Sequence, residues 1–118
     1  MLFKSDDLVE TVMEKPRGGN GSMQCKFVFK ADSAPAGSSF QMVSNMTLQP
    51  GCSMGYHKHP DNEELYVFLS GEGTFTDDGG ATVRVGPGDT TLTLKGQSHG
   101  IENTGSVPLK FLAAIVKG

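Results

Sequence analysis

Three histidines and an acidic pair are the residues of this chain most capable of metal chemistry. His57 and His59 are one residue apart, Glu63 and Glu64 follow closely, and His99 is the only other histidine. On an extended strand, residues i and i+2 point to the same face. Imidazole and carboxylate groups suit divalent transition metals. We therefore predict one site for a single divalent ion (Mn, Fe, Ni, Co or Zn).

Size, charge and cysteine usage restrict the classes of function. A chain of 118 residues fits one domain, and its formal charge of −3 offers no basic surface for nucleic acid or an anionic membrane. No apolar stretch approaches the ~20 residues that span a bilayer, and Asp6 and Asp7 interrupt any leader-like start. We expect a cytoplasmic protein with a small-molecule partner, in which Cys25 and Cys52 are free thiols.

The elements that must position these histidines are short strands. Apolar and polar residues alternate with a period of two, and glycine, proline or asparagine ends each run. No segment sustains a helical period, although residues 8–13 fit either a helical turn or an edge strand. The pattern predicts an all-β barrel over residues 23–118, preceded by an N-terminal arm at 1–22. The predicted strands are 23–30, 40–48, 56–59, 64–69, 74–76, 81–85, 90–94, 98–103 and 108–116.

Two blocks of fixed spacing resemble the two motifs of the cupin family. Motif 1, at 51–71, runs from one glycine through the histidine pair and a glutamate to a second glycine; motif 2, at 88–103, contains the third histidine. The matching residues are Gly51, His57, His59, Glu64 and Gly71, then Gly88, Gly96, His99 and Asn103. One position departs from the family pattern, because Leu94 stands where a proline is usual.

The resemblance implies a double-stranded β-helix, a jelly-roll-like barrel with a metal inside it. Carried over residue by residue, it implies that His57, His59, Glu64 and His99 are the metal ligands. Neighbours on a strand face opposite sides, so only one of Glu63 and Glu64 can point inward, and the spacing to Gly71 favours Glu64. The resemblance also implies a homodimer, with residues 1–12 crossing to the partner.

The residues around the metal are harder to assign from the sequence. Tyr66 is either a catalytic general acid or a half-buried aromatic residue. Met42, Met54, Phe68 and Gln97 are candidates for the substrate pocket, while methionines also serve as core filler. This lining is largely apolar and includes neither arginine, Arg17 or Arg84, which argues against tight selection of a dicarboxylate.

Two functions remain open at this level. The first is a metal-dependent enzyme that acts on a small oxygen-rich molecule by oxygenase, decarboxylase, isomerase or lyase chemistry. The alternative is a cupin module that binds or senses a small ligand without turnover. The fold alone does not choose between them.

Overall fold

The computed structural model describes all 118 residues and contains ten strands and two three-residue helical turns. The turns are Ser5–Asp7 and Pro16–Gly18, so no helix is long and apolar enough to cross a membrane. The strands are β1 (Glu10–Glu14), β2 (Ser22–Phe29), β3 (Phe40–Leu48), β4 (Ser53–Lys58), β5 (Asn62–Ser70), β6 (Gly73–Thr76), β7 (Thr82–Val85), β8 (Thr90–Thr93), β9 (Ser98–Glu102) and β10 (Leu109–Lys117).

The strands form two antiparallel sheets that enclose one interior. The larger sheet has the order β1-β2-β3-β10-β5-β8, and the smaller has the order β4-β9-β6-β7. This is the predicted double-stranded β-helix. The nine predicted strands correspond to β2 through β10. Residues 8–13 fit either a helical turn or an edge strand by sequence, and the structure has the edge strand β1 there at Glu10–Glu14, paired with β2 of the same chain.

One end of the interior is filled by aromatic side chains, which we call the aromatic core. It consists of Tyr66, Phe68, Phe75 and Phe111, all buried. The Phe111 ring centroid lies 4.9 Å from that of Tyr66 and 5.4 Å from that of Phe68. Rings at such distances pack at an angle and bury large apolar areas. Alternate residues of β5 and β10 supply most of this core, as their period predicts.

A second region is shaped by a close approach between the β1–β2 connection and β4. A Cβ atom at Gly55 would lie 2.2 Å from the carbonyl oxygen of Arg17, and one at Gly19 would lie 2.0 Å from that of Ser53. Only glycine permits these backbones to meet. The connection contains two non-glycine residues in the left-handed region, Lys15 at φ 44° and Arg17 at φ 52°. Such residues cost free energy and persist where their surroundings fix them.

Candidate metal centre

The four predicted ligands come from three strands and one loop, and they meet inside the barrel. His57 lies on β4, His59 directly after it, Glu64 on β5 and His99 on β9. One ligand atom from each lies within 4.8 Å of all the others. His57 and His99 are direct partners in the β4–β9 register. The cluster is therefore built by sheet pairing between residues far apart in sequence.

A β-bulge in β4 aims His57 into the interior. Met54 pairs with Ile101 and His57 with His99, so one more residue lies between the partners on β4 than on β9. An extra residue of this kind shifts the alternation of side chains. Met54 and His57 consequently both face inward although they are three positions apart. The predicted strand 56–59 did not include this irregularity.

Each imidazole is oriented by a hydrogen-bond partner on its Nδ1 atom. Nδ1 of His57 donates to the carbonyl oxygen of Gly55 at 2.6 Å, and Nδ1 of His59 donates to Oδ1 of Asn62 at 2.7 Å. Nδ1 of His99 lies 2.8 Å from Oγ1 of Thr93, a hydroxyl oxygen that can accept its proton. Partners on Nδ1 leave Nε2 as the ligand atom and fix the ring orientation.

When each imidazole is neutral with its proton on Nδ1, the atoms that converge are electron-pair donors. Nε2 of His59 lies 3.0 Å from Nε2 of His99, and Oε1 of Glu64 lies 3.0 and 3.1 Å from these two nitrogens. Lone pairs so close together in a buried site repel unless a cation lies among them. Three imidazoles and one carboxylate suit a divalent transition metal. The donor set therefore fits the ion that the sequence predicts.

The pKa values of these groups reflect their burial and their close contacts. Burial lowers the pKa of His57 to about 4, so this imidazole is neutral near pH 7. The hydrogen bond with Glu64 raises the pKa of His59 despite burial. Burial works against ionisation of Glu64, but hydrogen bonds from His59 and His99 lower its pKa overall. The buried carboxylate of Glu64 therefore favours positive charge on the atoms around it.

Neighbouring glutamates of β5 have opposite orientations. The Glu64 side chain is 4% exposed, and its Oε1 atom contacts the imidazoles of His59 and His99. Glu63 is half-buried and lines a groove on the outer surface with Leu65 and Leu92. The strand thus directs the carboxylate favoured by the spacing into the cluster.

A cavity of about 120 Å³ adjoins the cluster, and we call it the methionine cavity. It is far smaller than the ~300–1,000 Å³ of pockets for drug-sized ligands, so it suits a small ligand. Of the predicted pocket residues, Met42 and Met54 line it, whereas Phe68 and Gln97 do not. The lining residues are Met13, Arg17, Met23, Phe27, Met42, Met46, Met54, His57, His59, Glu64 and Ile115.

Larger concave surfaces occur elsewhere but lack ligand clusters. The largest, at about 440 Å³, is an open cleft whose lining includes Val83, Arg84 and Asp89 and no histidine or cysteine. Arg84 pairs there with the exposed Glu72. We place the candidate site at the smaller cavity because the converging donor atoms lie beside it.

Arg17 is a functional candidate that the sequence interpretation missed. We expected no arginine in the lining, yet Arg17 is an exposed residue of the methionine cavity, and its charge contributes to lowering the pKa of His57. Its place depends on the contact between the β1–β2 connection and β4. The one signal in the sequence was the glycine-rich run that follows it, which permits an unusual backbone path.

Tyr66 lies between the cluster and the aromatic core and does not line the cavity. Its ring stacks on His99 with centroids 4.9 Å apart, and its hydroxyl lies 3.5 Å from Nε2 of His99. The same hydroxyl donates to Sδ of Met54 at 3.4 Å. Burial, followed by the charge of Glu64, raises the pKa of Tyr66 well above its usual value. The phenol therefore keeps its proton at neutral pH.

Motif 2 has a local substitute for the usual proline. The backbone N–H of Leu94 donates to Oε1 of Gln97 at 2.9 Å, a bond that proline could not make. The backbone N–H of Gln97 donates back to the carbonyl oxygen of Leu94 at 2.9 Å. Gln97 therefore stabilises the turn before His99. Asn103 closes the motif, since its buried amide donates to the carbonyl oxygen of Leu48 at 2.8 Å.

Comparison with known families agrees with this architecture. Residues 44–115 match the family model described as a cupin domain, and the chain belongs to the cupin family. The predicted resemblance and the predicted fold are both confirmed.

Two kinds of relative support the assignment. An oxalate-binding protein of Thermotoga maritima is 35% identical over 116 residues, which cover 98% of this chain and 93% of that protein. The crystal structure of a predicted oxalate decarboxylase from Thermotoga maritima has a TM-score of 0.91 at 35% identity, with both chains fully covered. A Klebsiella pneumoniae protein with a double-stranded β-helix domain has a TM-score of 0.72 at 21% identity and covers 99% and 90% of the two chains; it shows the fold alone.

Proposed function

We propose that this cupin binds one divalent transition metal through His57, His59, Glu64 and His99, together with a small anion that has two adjacent oxygen donors. The observation that carries this proposal is the convergence of four donor atoms within 4.8 Å. Four protein ligands leave positions on an octahedral ion for a chelating ligand. Oxalate is the first such ligand to test, because a Thermotoga maritima relative is described as oxalate-binding.

Arg17 supports the choice of an anion. It is the only cationic side chain that lines the methionine cavity, and the remaining lining beyond the cluster is apolar. Guanidinium groups match carboxylate geometry with two parallel hydrogen bonds. We propose that Arg17 binds a carboxylate of the ligand on the solvent side. The ion would supply Lewis acidity and fix the orientation of the chelating oxygens.

Binding without turnover is the simpler version of this function. The cavity contains no second carboxylate and no free histidine to serve as a general base. Tyr66 keeps its proton and contacts His99, so it acts through a ligand residue and not directly on a substrate in the cavity. Decarboxylation is the second candidate, because a structural relative carries that predicted activity.

Elemental analysis followed by calorimetry tests the proposal. We expect about one transition metal per chain, and oxalate should bind the loaded protein but not the chelator-treated protein. Acetate, which lacks the second adjacent donor, is the matched control ligand. His57→Ala and His99→Ala should lose metal while retaining a β-sheet circular dichroism spectrum. Unchanged metal content in both variants would refute the ligand assignment.

The same samples separate binding from turnover. Decarboxylation of hydrogen oxalate would yield formate and carbon dioxide, which are measured after hours of incubation with metal-loaded protein. Oxalate that binds and is recovered intact supports a binding module. Formate production that disappears in His57→Ala would establish the enzymatic alternative.

We also propose a homodimer through the outer face of the larger sheet. A groove there is lined by Phe40, Leu65, Leu92, Ala114, Val116 and Glu63. Phe40 is 46% and Leu92 51% exposed, and apolar patches of this kind are typical of subunit interfaces. Light scattering at micromolar concentration should give the mass of a dimer, and Leu92→Lys should give a monomer. A monomeric wild-type protein would contradict this proposal.

A further inference from the structure

We infer that the ligand carries a short, unbranched apolar chain beside its chelating oxygens, as 2-oxo and 2-hydroxy monocarboxylates do. This inference rests on the proposed metal site and narrows the class of anion that the site selects. It places the chelating end at the His57–Glu64–His99 cluster, the carboxylate toward Arg17 and the alkyl chain in the methionine cavity.

The two walls of the cavity differ in chemistry. His57, His59, Glu64 and Arg17 form a polar side, and the other seven of the eleven lining residues are hydrophobic. A ligand that is polar all round would fill such a space with unpaired oxygen atoms. Burial of an unpaired polar group costs free energy. The asymmetry of the walls therefore matches an asymmetric ligand.

Charge pairing leads to the same result. When oxalate chelates a metal with one oxygen from each carboxylate, each carboxylate leaves one further oxygen pointing away from the ion. Arg17, the single cation beyond the cluster, satisfies one carboxylate. The second oxygen would face thioether and hydrocarbon side chains. A monocarboxylate with an adjacent oxo or hydroxyl group also chelates through two oxygens, and it leaves nothing charged on that side.

The type of residue in the apolar wall indicates the shape of the chain that it contacts. Apart from Met1, every methionine of this protein lines the cavity, namely Met13, Met23, Met42, Met46 and Met54. Methionine is unbranched and flexible, and it adapts to irregular apolar ligands. The aromatic core shows that this barrel fills space with rings where only packing is required. The methionines instead leave space beside the metal cluster.

A homologous series of ligands tests the inference with the wild-type, metal-loaded protein. Calorimetry would compare glyoxylate, pyruvate, 2-oxobutyrate and 2-oxopentanoate with oxalate. We expect the affinity to rise about fourfold for each added methylene while the chain still fits, which corresponds to the transfer energy of one buried CH₂ group. 2-Oxobutyrate should therefore bind more tightly than pyruvate, and pyruvate more tightly than glyoxylate. A flat or falling series would overturn the inference.

Variants of the apolar wall give an independent measurement. Met42→Gln should remove the dependence on chain length while leaving metal content unchanged, and Met42→Leu is the matched control that retains the dependence. Met13→Gln, on the exposed edge strand β1, should weaken the dependence without risk to folding. A full chain-length dependence in both glutamine variants would refute the role of this wall. Loss of metal from the wild-type protein would refute the proposed function itself, so the two failures are distinguishable.

Discussion

The aromatic core and the methionine cavity are two regions of one barrel interior, built from the same alternating strands but filled differently. β5 passes through both, since Glu64 lines the cavity, Tyr66 lies at the boundary and Phe68 belongs to the core. β10 also passes through both, since Ile115 lines the cavity and Phe111 belongs to the core. Strand periodicity decides which residues point inward, whereas their size and polarity decide whether the interior becomes a packed core or a binding site.

The largest expected effect is a difference in stability between a substitution in the aromatic core and one in the methionine cavity. Phe111→Ala should lower the free energy of unfolding by about 3–5 kcal/mol, because it opens a cavity among packed rings. Met42→Ala should lower the free energy of unfolding by only about 2 kcal/mol, the low end of the range for buried Met→Ala substitutions, because the Met42 side chain already borders empty space. Urea unfolding of both variants measures the difference. Equal losses would mean that the two regions are packed alike.

The next effect concerns the two glutamates of β5. Glu64→Gln should lower metal affinity by at least ~100-fold, beyond the loss expected for an outer hydrogen-bond partner. The Glu63 side chain faces outward, so Glu63→Gln should leave metal affinity within about twofold, as is usual for surface substitutions. Competition with a chromogenic chelator measures both constants. The reverse order would show that the inward face of β5 is misassigned by one residue.

Acid should destabilise the metal-free protein through His57. Its pKa is about 4 in the folded chain and about 6.5 when unfolded, so the unfolded state takes up the proton first as the pH falls. Stability from this group is present above pH 6.5 and should decrease toward pH 4, by at most about 1.4 kcal/mol per pH unit. His59, with a raised pKa, contributes with the opposite sign, and its stabilisation is lost as the pH rises.

The control for this pH dependence is His57→Gln, which removes the titrating group. Urea midpoints of chelator-treated protein between pH 4 and pH 6.5 give the slope for each form. The wild-type slope should exceed that of the variant. Parallel slopes would show that His57 does not titrate in this range.

The smallest effect tests the strained connection at the mouth of the cavity. Arg17→Gly should raise the free energy of unfolding by up to ~1 kcal/mol, since glycine adopts positive φ without strain, and it should weaken anion binding. Lys15→Gly is the matched control, because Lys15 is also left-handed but does not line the cavity. It should be stabilised similarly and keep its anion affinity. Equal anion affinity in both variants would show that Arg17 does not bind the anion.

Much of the fold could be predicted because its signals are local. Alternation in β3 gives Phe40–Leu48 at the predicted bounds, and glycine-rich turns mark most of the other strands. The candidate ligands could also be predicted, because their spacing follows motifs that the fold imposes. The bulge between Met54 and His57 could not be predicted, since it depends on the partner residues of β9.

The sequence by itself determined which residues of each strand face the interior, which family the chain belongs to, and which four side chains converge. Only the tertiary structure decided that Arg17 reaches the cavity, because its place depends on a backbone contact with Gly55 on another strand. It also decided that five methionines from four strands share one cavity with the histidines. Side-chain type and spacing act along the chain, but a cavity is formed by residues that meet only when the two sheets close.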